Sequence, residues 1–483
     1  MSPERKPVSG NAAFTLTRAL AQFAAHTKTE ALPARLLDKS ADAFIDTLGV
    51  GLAGSLEPAS LLVSQWVLEE AARGQSTVWG GRNGVSPSQA AFANGTAAHA
   101  LDFDDSLPSM RSHPSASLVP AALAVAEARG ASGRDVLAAY VIGLEVAGKI
   151  GRVVSNGHFQ RGLHTTATIG IFSCAATAAR LLKLDADGLQ TAWGIAASHA
   201  GGLARNFGTM TKPLHAGNAA RIGVLSAGLA QRGFTADDAI FDGANGFAAS
   251  YGSEGGMAPD DAILLLGSPW EIDDPGLYVK SWPCCYCNHR PVGGLFQLLD
   301  EHAIRADEVR AISVGFLPGS DTALLSDNPM TGLEGKFSIE YTMAATLLDR
   351  RLTLETFTDR MVQRPLIRDL MKKVKRYRIE DPNVYSGLIG YTNIAVETAR
   401  GCFETRVERT PGSPSWPMSR ENLVAKFLDC SGRVLGAEGA RDLLAIAEEL
   451  PLLPDVGPLL KAARPRDGAQ AGRTAAHSVG GGR

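Results

Sequence analysis

The sequence predicts a mainly α-helical large domain built from N- and C-terminal segments, with a smaller α+β domain between them. Three observations carry this. The first half is rich in alanine and glycine and reads as helix after helix. Around 259–275 acids, glycines and prolines replace alanine, and strand-like alternation follows; helical periodicity then resumes over 419–450. At 483 residues the chain is too long for one ordinary core. The boundaries read as 10–272 for the first part of the helical domain, 273–408 for the α+β domain and 409–462 for the helical return. The remainder, 463–483, has almost no apolar anchor and is expected to be a disordered tail.

Taken in order, Pro33 precedes a helix over 34–53 with Leu36, Leu37, Phe44, Ile45 and Leu48 at helical spacing. Ser86-Pro87 opens a second, whose small residues Ala90, Ala97 and Ala98 permit close helix approach and which runs toward Asp102. Pro114 starts a third. Ser132 caps a long run to Val154 that is apolar almost all round, the mark of a central helix. The pattern continues over 164–182, 185–199 and 212–232. In the second domain, 309–314, 394–396 and 402–407 alternate as strands do, beside helical runs at 290–302, 338–348 and 367–374. Two further helices, 419–428 and 438–450, return to the first domain.

Composition narrows the function. Net charge is −3 with no long basic run, which argues against nucleic-acid binding. No apolar stretch approaches the ~20 residues of a membrane span and no apolar run follows the charged first residues, so a cytoplasmic protein with no membrane partner is expected. Six cysteines in a chain of this size do not make a disulfide scaffold. P-loop, dinucleotide-binding, nucleophile-elbow and zincin motifs are missing, which leaves acid–base chemistry without cofactor or metal.

The segment 99–117, HALDFDDSLPSMRSHPSAS, sets Asp102, Asp104, Asp105, Ser106, His99 and His113 between two apolar runs. Carboxylates there must be paired or used, because desolvating one costs several kcal/mol. Polar residues in apolar settings recur at His164 in RGLHTTATIG, Lys212 and His215 in GTMTKPLHAGNAAR, Lys280 and Cys285 in YVKSWPCCYCNHR, and Tyr341 in GKFSIEYTMAATLLD. Each has a packing alternative: His164 as a satisfied core histidine, Lys212 as an exposed turn lysine, Tyr341 as a core aromatic with its hydroxyl on backbone. Cys284 and Cys287 have C-x-x-C spacing, yet no second ligand pair supports zinc, so structural or substrate-lining cysteines are favoured. The shared logic is a set of cations and hydroxyl donors suited to a substrate with several carboxylates.

In order along the chain, DFDD, HPSA, RGLH, TKPLHAGNAAR, WPCCYCNH and a late tyrosine helix make the sequence resemble the MmgE/PrpD family, which includes 2-methylcitrate dehydratase, cis-aconitate decarboxylase and iminodisuccinate epimerase. The resemblance implies that the α+β domain is a lid, that the active site lies in the cleft without metal or cofactor, and that the protein is a homodimer. It implies Asp102, His113, His164, Lys212 and Tyr341 as catalytic residues and Lys280 as a lid lysine of the site; His215, Cys285 and Ser106 join as substrate-binding candidates. Two positions depart from relatives' patterns: Cys285 where cis-aconitate decarboxylases have histidine, and DFDD where 2-methylcitrate dehydratases have DFND.

The expected function is a lyase, dehydratase or decarboxylase, acting on a small di- or tricarboxylate. His164 or Asp102 would move the proton next to a carboxylate, Tyr341 would serve as acid or hydrogen-bond donor, and Lys212, Lys280 and His113 would bind carboxylates. The alternatives are an epimerase of an aminodicarboxylate and a non-catalytic carboxylate-binding protein.

Overall fold

The computed structural model describes residues 15–465 except 71–73, 82, 384 and 386–387, together with all but the side chains of 155 and 156. Residues 10–14, and the expected tail from 466 onward, lie outside the described residues. The helices run α1 (Leu16–His26), α2 (Ala34–Gly54), α3 (Pro58–Glu70), α4 (Pro87–Ala100), α5 (Ser115–Arg129), α6 (Gly133–Gln160), α7 (Thr165–Thr168), α8 (Gly170–Leu181), α9 (Ala186–Ala197), α10 (Thr211–Gln231), α11 (Phe247–Tyr251) and α12 (Pro259–Leu264). After these come α13 (His289–Glu301), α14 (Gly332–Gly335), α15 (Ile339–Asp349), α16 (Asp359–Val362), α17 (Pro365–Met371), α18 (Arg420–Glu448) and α19 (Gly457–Ala462).

One hydrophobic core draws on residues from Leu16 to Ile272 and again from Leu423 to Ala463. A second draws on residues from Cys284 to Val407, joined by Phe207 from the helical part. The molecule is mainly α-helical with a small sheet region, as the sequence predicts. A short ribbon pairs β1 (Ser76–Thr77) with β2 (Gly84–Val85). The main sheet has β3 (Val309–Phe316), β4 (Val374–Arg378), β5 (Thr392–Thr398) and β6 (Gly401–Val407) in the order β4-β3-β5-β6. Only β3 and β4 are parallel, and α13 packs against β5 and β6 while α15 packs against β4.

Several elements differ from the expectation, among them the following four. The run 164–182 is broken at Ile169 into α7 and α8. The run 367–374 stops at Met371, and Val374 begins β4, pairing with Ile312; this edge strand reads Val-Lys-Arg-Tyr-Arg with little burial, so its alternation is hidden. The two C-terminal helices are one element, α18, bent at Gly436, whose φ of +72° no helix accepts. Finally, α1 was not read from the sequence, because part of its N-terminal capping comes from 225 residues away: Asp242 accepts from the amides of Leu16 (2.9 Å) and Thr17 (3.1 Å). No single helix among the described residues is long and apolar enough to cross a membrane; α2 and α3 pass that test only as a pair bent by 86°.

The contact that positions the site is the crossing of α4 and α10. A Cβ on Gly95 would come within 2.9 Å of Gly217 Cα, so the two backbones approach as closely as glycine allows. The C-terminal end of α4, which carries His99 and leads into Asp102, therefore meets the first two turns of α10, which carry Lys212 and His215.

Candidate active site

Asp102 follows α4 in the left-handed region, with φ of +52°, where a non-glycine residue is strained by roughly 1 kcal/mol. Its buried carboxylate pairs with Lys212 through Oδ1 and with Lys280 through Oδ2 at 3.1 Å, and Lys280 Nζ also donates to the Asp102 carbonyl at 2.8 Å. Burial alone would raise the Asp102 pKa, but Lys212 and Lys280 outweigh it and hold the group well below the usual carboxylate range. Lys280, wholly buried, is likewise kept charged by Asp102 and then Asp104, against a burial effect that would lower it.

Asp104 accepts from two imidazoles: His99 Nδ1 lies 2.9 Å and His113 Nδ1 3.2 Å from its Oδ2. His113 Nδ1 also lies 2.9 Å from the carbonyl of Asp105. A carbonyl and an ionised carboxylate only accept, so Nδ1 carries the proton and Nε2 is the nitrogen left to exchange one. Burial lowers the His113 pKa below its ordinary 6.5 despite Asp104, and brings His99 to about 4, so both rings rest neutral at pH 7. His164 differs, because both its ring nitrogens are engaged: Nδ1 with His215 Nδ1 at 2.9 Å and Nε2 with Thr166 Oγ1 at 2.8 Å. Burial, then His99 and Lys212, push it well below 6.5.

Asp105 faces away from this relay and accepts from Ser115 at the start of α5, from its amide at 3.2 Å and its hydroxyl at 2.5 Å. Burial raises its pKa to about 7. Between about pH 4, where an unfolded aspartate titrates, and about pH 7, the folded chain holds a proton that the unfolded chain has lost. Stability therefore falls as pH rises through that window, and above it the loss is complete and no longer varies with pH. Asp105→Asn is expected to flatten that part of the curve of Tm against pH; a difference curve, variant minus parent, that stays level from pH 4 to 7 in calorimetry would refute it.

The α+β domain closes over this relay. Ser106 and Tyr278 exchange backbone hydrogen bonds at 3.0 and 2.8 Å, and Lys336 donates to the Leu101 carbonyl. Cys285 is held by its own amide on the Lys336 carbonyl, at 2.9 Å. A hydrogen bond from the Cys287 thiol lowers the Cys285 pKa, and Cys287 rises correspondingly. A narrow cavity of about 90 Å³ lies between the two parts. Asp102, Ser106, His113, His164, Lys212 and Cys285, all read from the sequence, line it, while Lys280 and His215 stand behind Asp102 and His164. Tyr341 is not brought to it: its hydroxyl donates to the Thr356 carbonyl and its ring packs on Phe357, which is its packing alternative. Arg111, also on the lining, was missed; its only signal was its place two residues before His113.

His99, Asp102, Asp104 and His113 place ligand-type atoms within 4.8 Å of one another. The set fits a metal ion poorly, because Asp104 is occupied by two imidazole N–H donors and the two ammoniums on Asp102 would repel a further cation.

The chain matches the MmgE/PrpD N-terminal domain over residues 18–259 and the MmgE/PrpD C-terminal domain over 282–452. It belongs to the MmgE/PrpD family. Among its relatives, cis-aconitate decarboxylase of Mus musculus is 29% identical over 471 residues, covering 92% of this chain and 93% of its own length. The Homo sapiens protein of the same name is 29% identical over 452 residues, covering 91% and 93%. That of Aspergillus terreus is 24% identical over 479 residues, covering 95% and 97%. This MmgE/PrpD protein is thus an enzyme, a lyase.

Proposed function

We propose that the protein is a cofactor-independent decarboxylase of a small unsaturated tricarboxylate of the cis-aconitate type. The observation that carries the proposal is His113, its tautomer fixed by Asp104 and the Asp105 carbonyl, beside a carboxylate that holds two lysines. The names of the relatives agree with it. In such a substrate the departing carboxylate sits on a CH₂ next to the carbon–carbon double bond. The bond to that carboxylate breaks, carbon dioxide leaves, and its electron pair enters the π system. The double bond shifts by one position, and the charge rests on a carbon beside a second carboxylate. Lys212, which lines the cavity and shares the Asp102 carboxylate with Lys280, supplies an ammonium to stabilise that anion in a water-poor site. A proton from His113 Nε2 completes the product, one consumed per carbon dioxide. His113 is neutral at rest, and entry of a polyanion raises its pKa and loads it. In this scheme His164 and Asp102, the groups expected from sequence to move the proton, act instead by holding His215, Thr166 and the two lysines.

The test is incubation of the purified enzyme in heavy water with cis-aconitate, hydroxy-tricarboxylates and iminodisuccinate, followed by NMR and carbon dioxide measurement. Carbon dioxide release with one deuteron placed beside a carboxylate is expected; no release from any of them at high enzyme concentration sinks the proposal. Deuterium exchange into recovered substrate without loss of water or carbon dioxide would instead mean an epimerase. That second reading is favoured by His113 and Cys285, two acid–base groups from different domains lining one cavity.

A further inference from the structure

The charged groups of the cavity fall into two sets. At one end Lys212 and Lys280 share the Asp102 carboxylate as counter-charge. Arg111 is placed differently: its guanidinium neighbours Cys287 and the Tyr385 carbonyl, which lies 3.3 Å from Nη2. Among the described residues no carboxylate pairs with it, and its Nε is buried without a hydrogen-bond partner. Burial lowers its pKa to about 10, which still leaves it charged at neutral pH. A half-buried cation lacking a counter-charge is costly until an anion arrives.

The backbone points the same way. Arg111 has a φ of +49°, a conformation that glycine or asparagine adopts at less cost. It is held there by its own amide on the Pro108 carbonyl (3.1 Å) and by Thr165 Oγ1 donating to its carbonyl (2.7 Å). Two residues earlier, Ser109 Oγ donates at 2.6 Å to Glu271, which is buried against Lys149 and Arg152 of α6. The loop is thus anchored on both sides of a strained arginine that lines the substrate cavity.

We propose that Arg111 is a substrate-binding residue that takes a carboxylate remote from the reacting carbon through its Nε and Nη edge, selecting tricarboxylates over dicarboxylates. This rests on the polycarboxylate reading of the site. A guanidinium edge matches a carboxylate in a bidentate geometry that an ammonium does not reproduce.

The test is calorimetric binding of three unreactive probes: propane-1,2,3-tricarboxylate and the two dicarboxylates made by deleting one carboxylate from it, glutarate and methylsuccinate. Arg111→Gln is expected to weaken the tricarboxylate by about 30-fold or more and to leave one of the two dicarboxylates within about twofold. Arg111→Lys should fall between, and serves alone if the glutamine variant does not fold. With a substrate that turns over, KM should rise by a similar factor while kcat stays within about threefold. Unchanged affinity for the tricarboxylate, or equal weakening toward all three probes, overturns the assignment. If the parent binds the probes in this pattern but decarboxylates nothing, the reaction proposed above falls and Arg111 stands. If the parent decarboxylates and Arg111→Gln changes neither affinity nor KM, only the role of Arg111 falls.

Discussion

Replacing His113 with glutamine is expected to lower kcat by about three orders of magnitude, within the range typical of a lost general acid or base, while Tm changes little. The glutamine amide can still donate toward Asp104 and the Asp105 carbonyl, 3.2 and 2.9 Å from the imidazole Nδ1, so the loop keeps its anchor. What it cannot do is carry a proton at the position of Nε2. The direction of the pH profile separates the possible chemistries. The free-enzyme pKa of His113 lies below 6.5, since burial disfavours the imidazolium. For a decarboxylation that consumes a proton held by His113, log kcat/KM should fall with a slope of about −1 as pH rises above that pKa. If His113 worked as a base, as in dehydration or epimerisation, the slope would be positive below the pKa and flat above it. In His113→Gln this limb disappears from the residual activity. A variant retaining a tenth of parental kcat, measured by carbon dioxide release, would remove His113 from the chemistry.

Much of this geometry was legible in the chain, and the reason is electrostatic. Three aspartates and two histidines between apolar helices have few stable arrangements other than mutual pairing, and the structure pairs Asp104 with both histidines. Lys212 stood out for the same reason, as a cation at the head of a helix of small residues. The division of labour was not legible. His113 and His164 are equivalent as residue types; only their partners, a carbonyl for one and a histidine and threonine for the other, leave a proton-exchanging nitrogen on His113 alone. Tyr341 shows the converse, since its chemistry suits a site but its hydroxyl is satisfied by Thr356. Arg111 hid in a polar loop, where arginine is unremarkable until its φ and missing counter-charge are seen. Strand β4 and the Asp242 cap of α1 depend on contacts between segments far apart in sequence, which local periodicity does not report.

The second large effect is on stability and falls on Asp102. Asp102→Asn is expected to cost about 3–5 kcal/mol at neutral pH, because it removes the charge facing two lysines, of which Lys280 is wholly buried. Lys212 borders the cavity and can recruit water, so Lys280 bears most of the penalty. Adding Lys280→Met to Asp102→Asn should therefore recover a substantial part of the loss, with a coupling of about 2 kcal/mol in a double-mutant cycle of denaturant unfolding; strict additivity would show that the pair is not what the loop depends on. The pH dependence has a definite sign. The folded pKa of Asp102 is depressed, so its stabilisation is fully present above about pH 4, the unfolded value, and is lost as pH falls toward the folded one. The Tm gap between parent and Asp102→Asn should be widest near neutrality and close on acidification below about pH 4. Asp102, strained at φ of +52°, thus holds together the charges that the proposed chemistry needs, and the double variant should regain stability without regaining turnover.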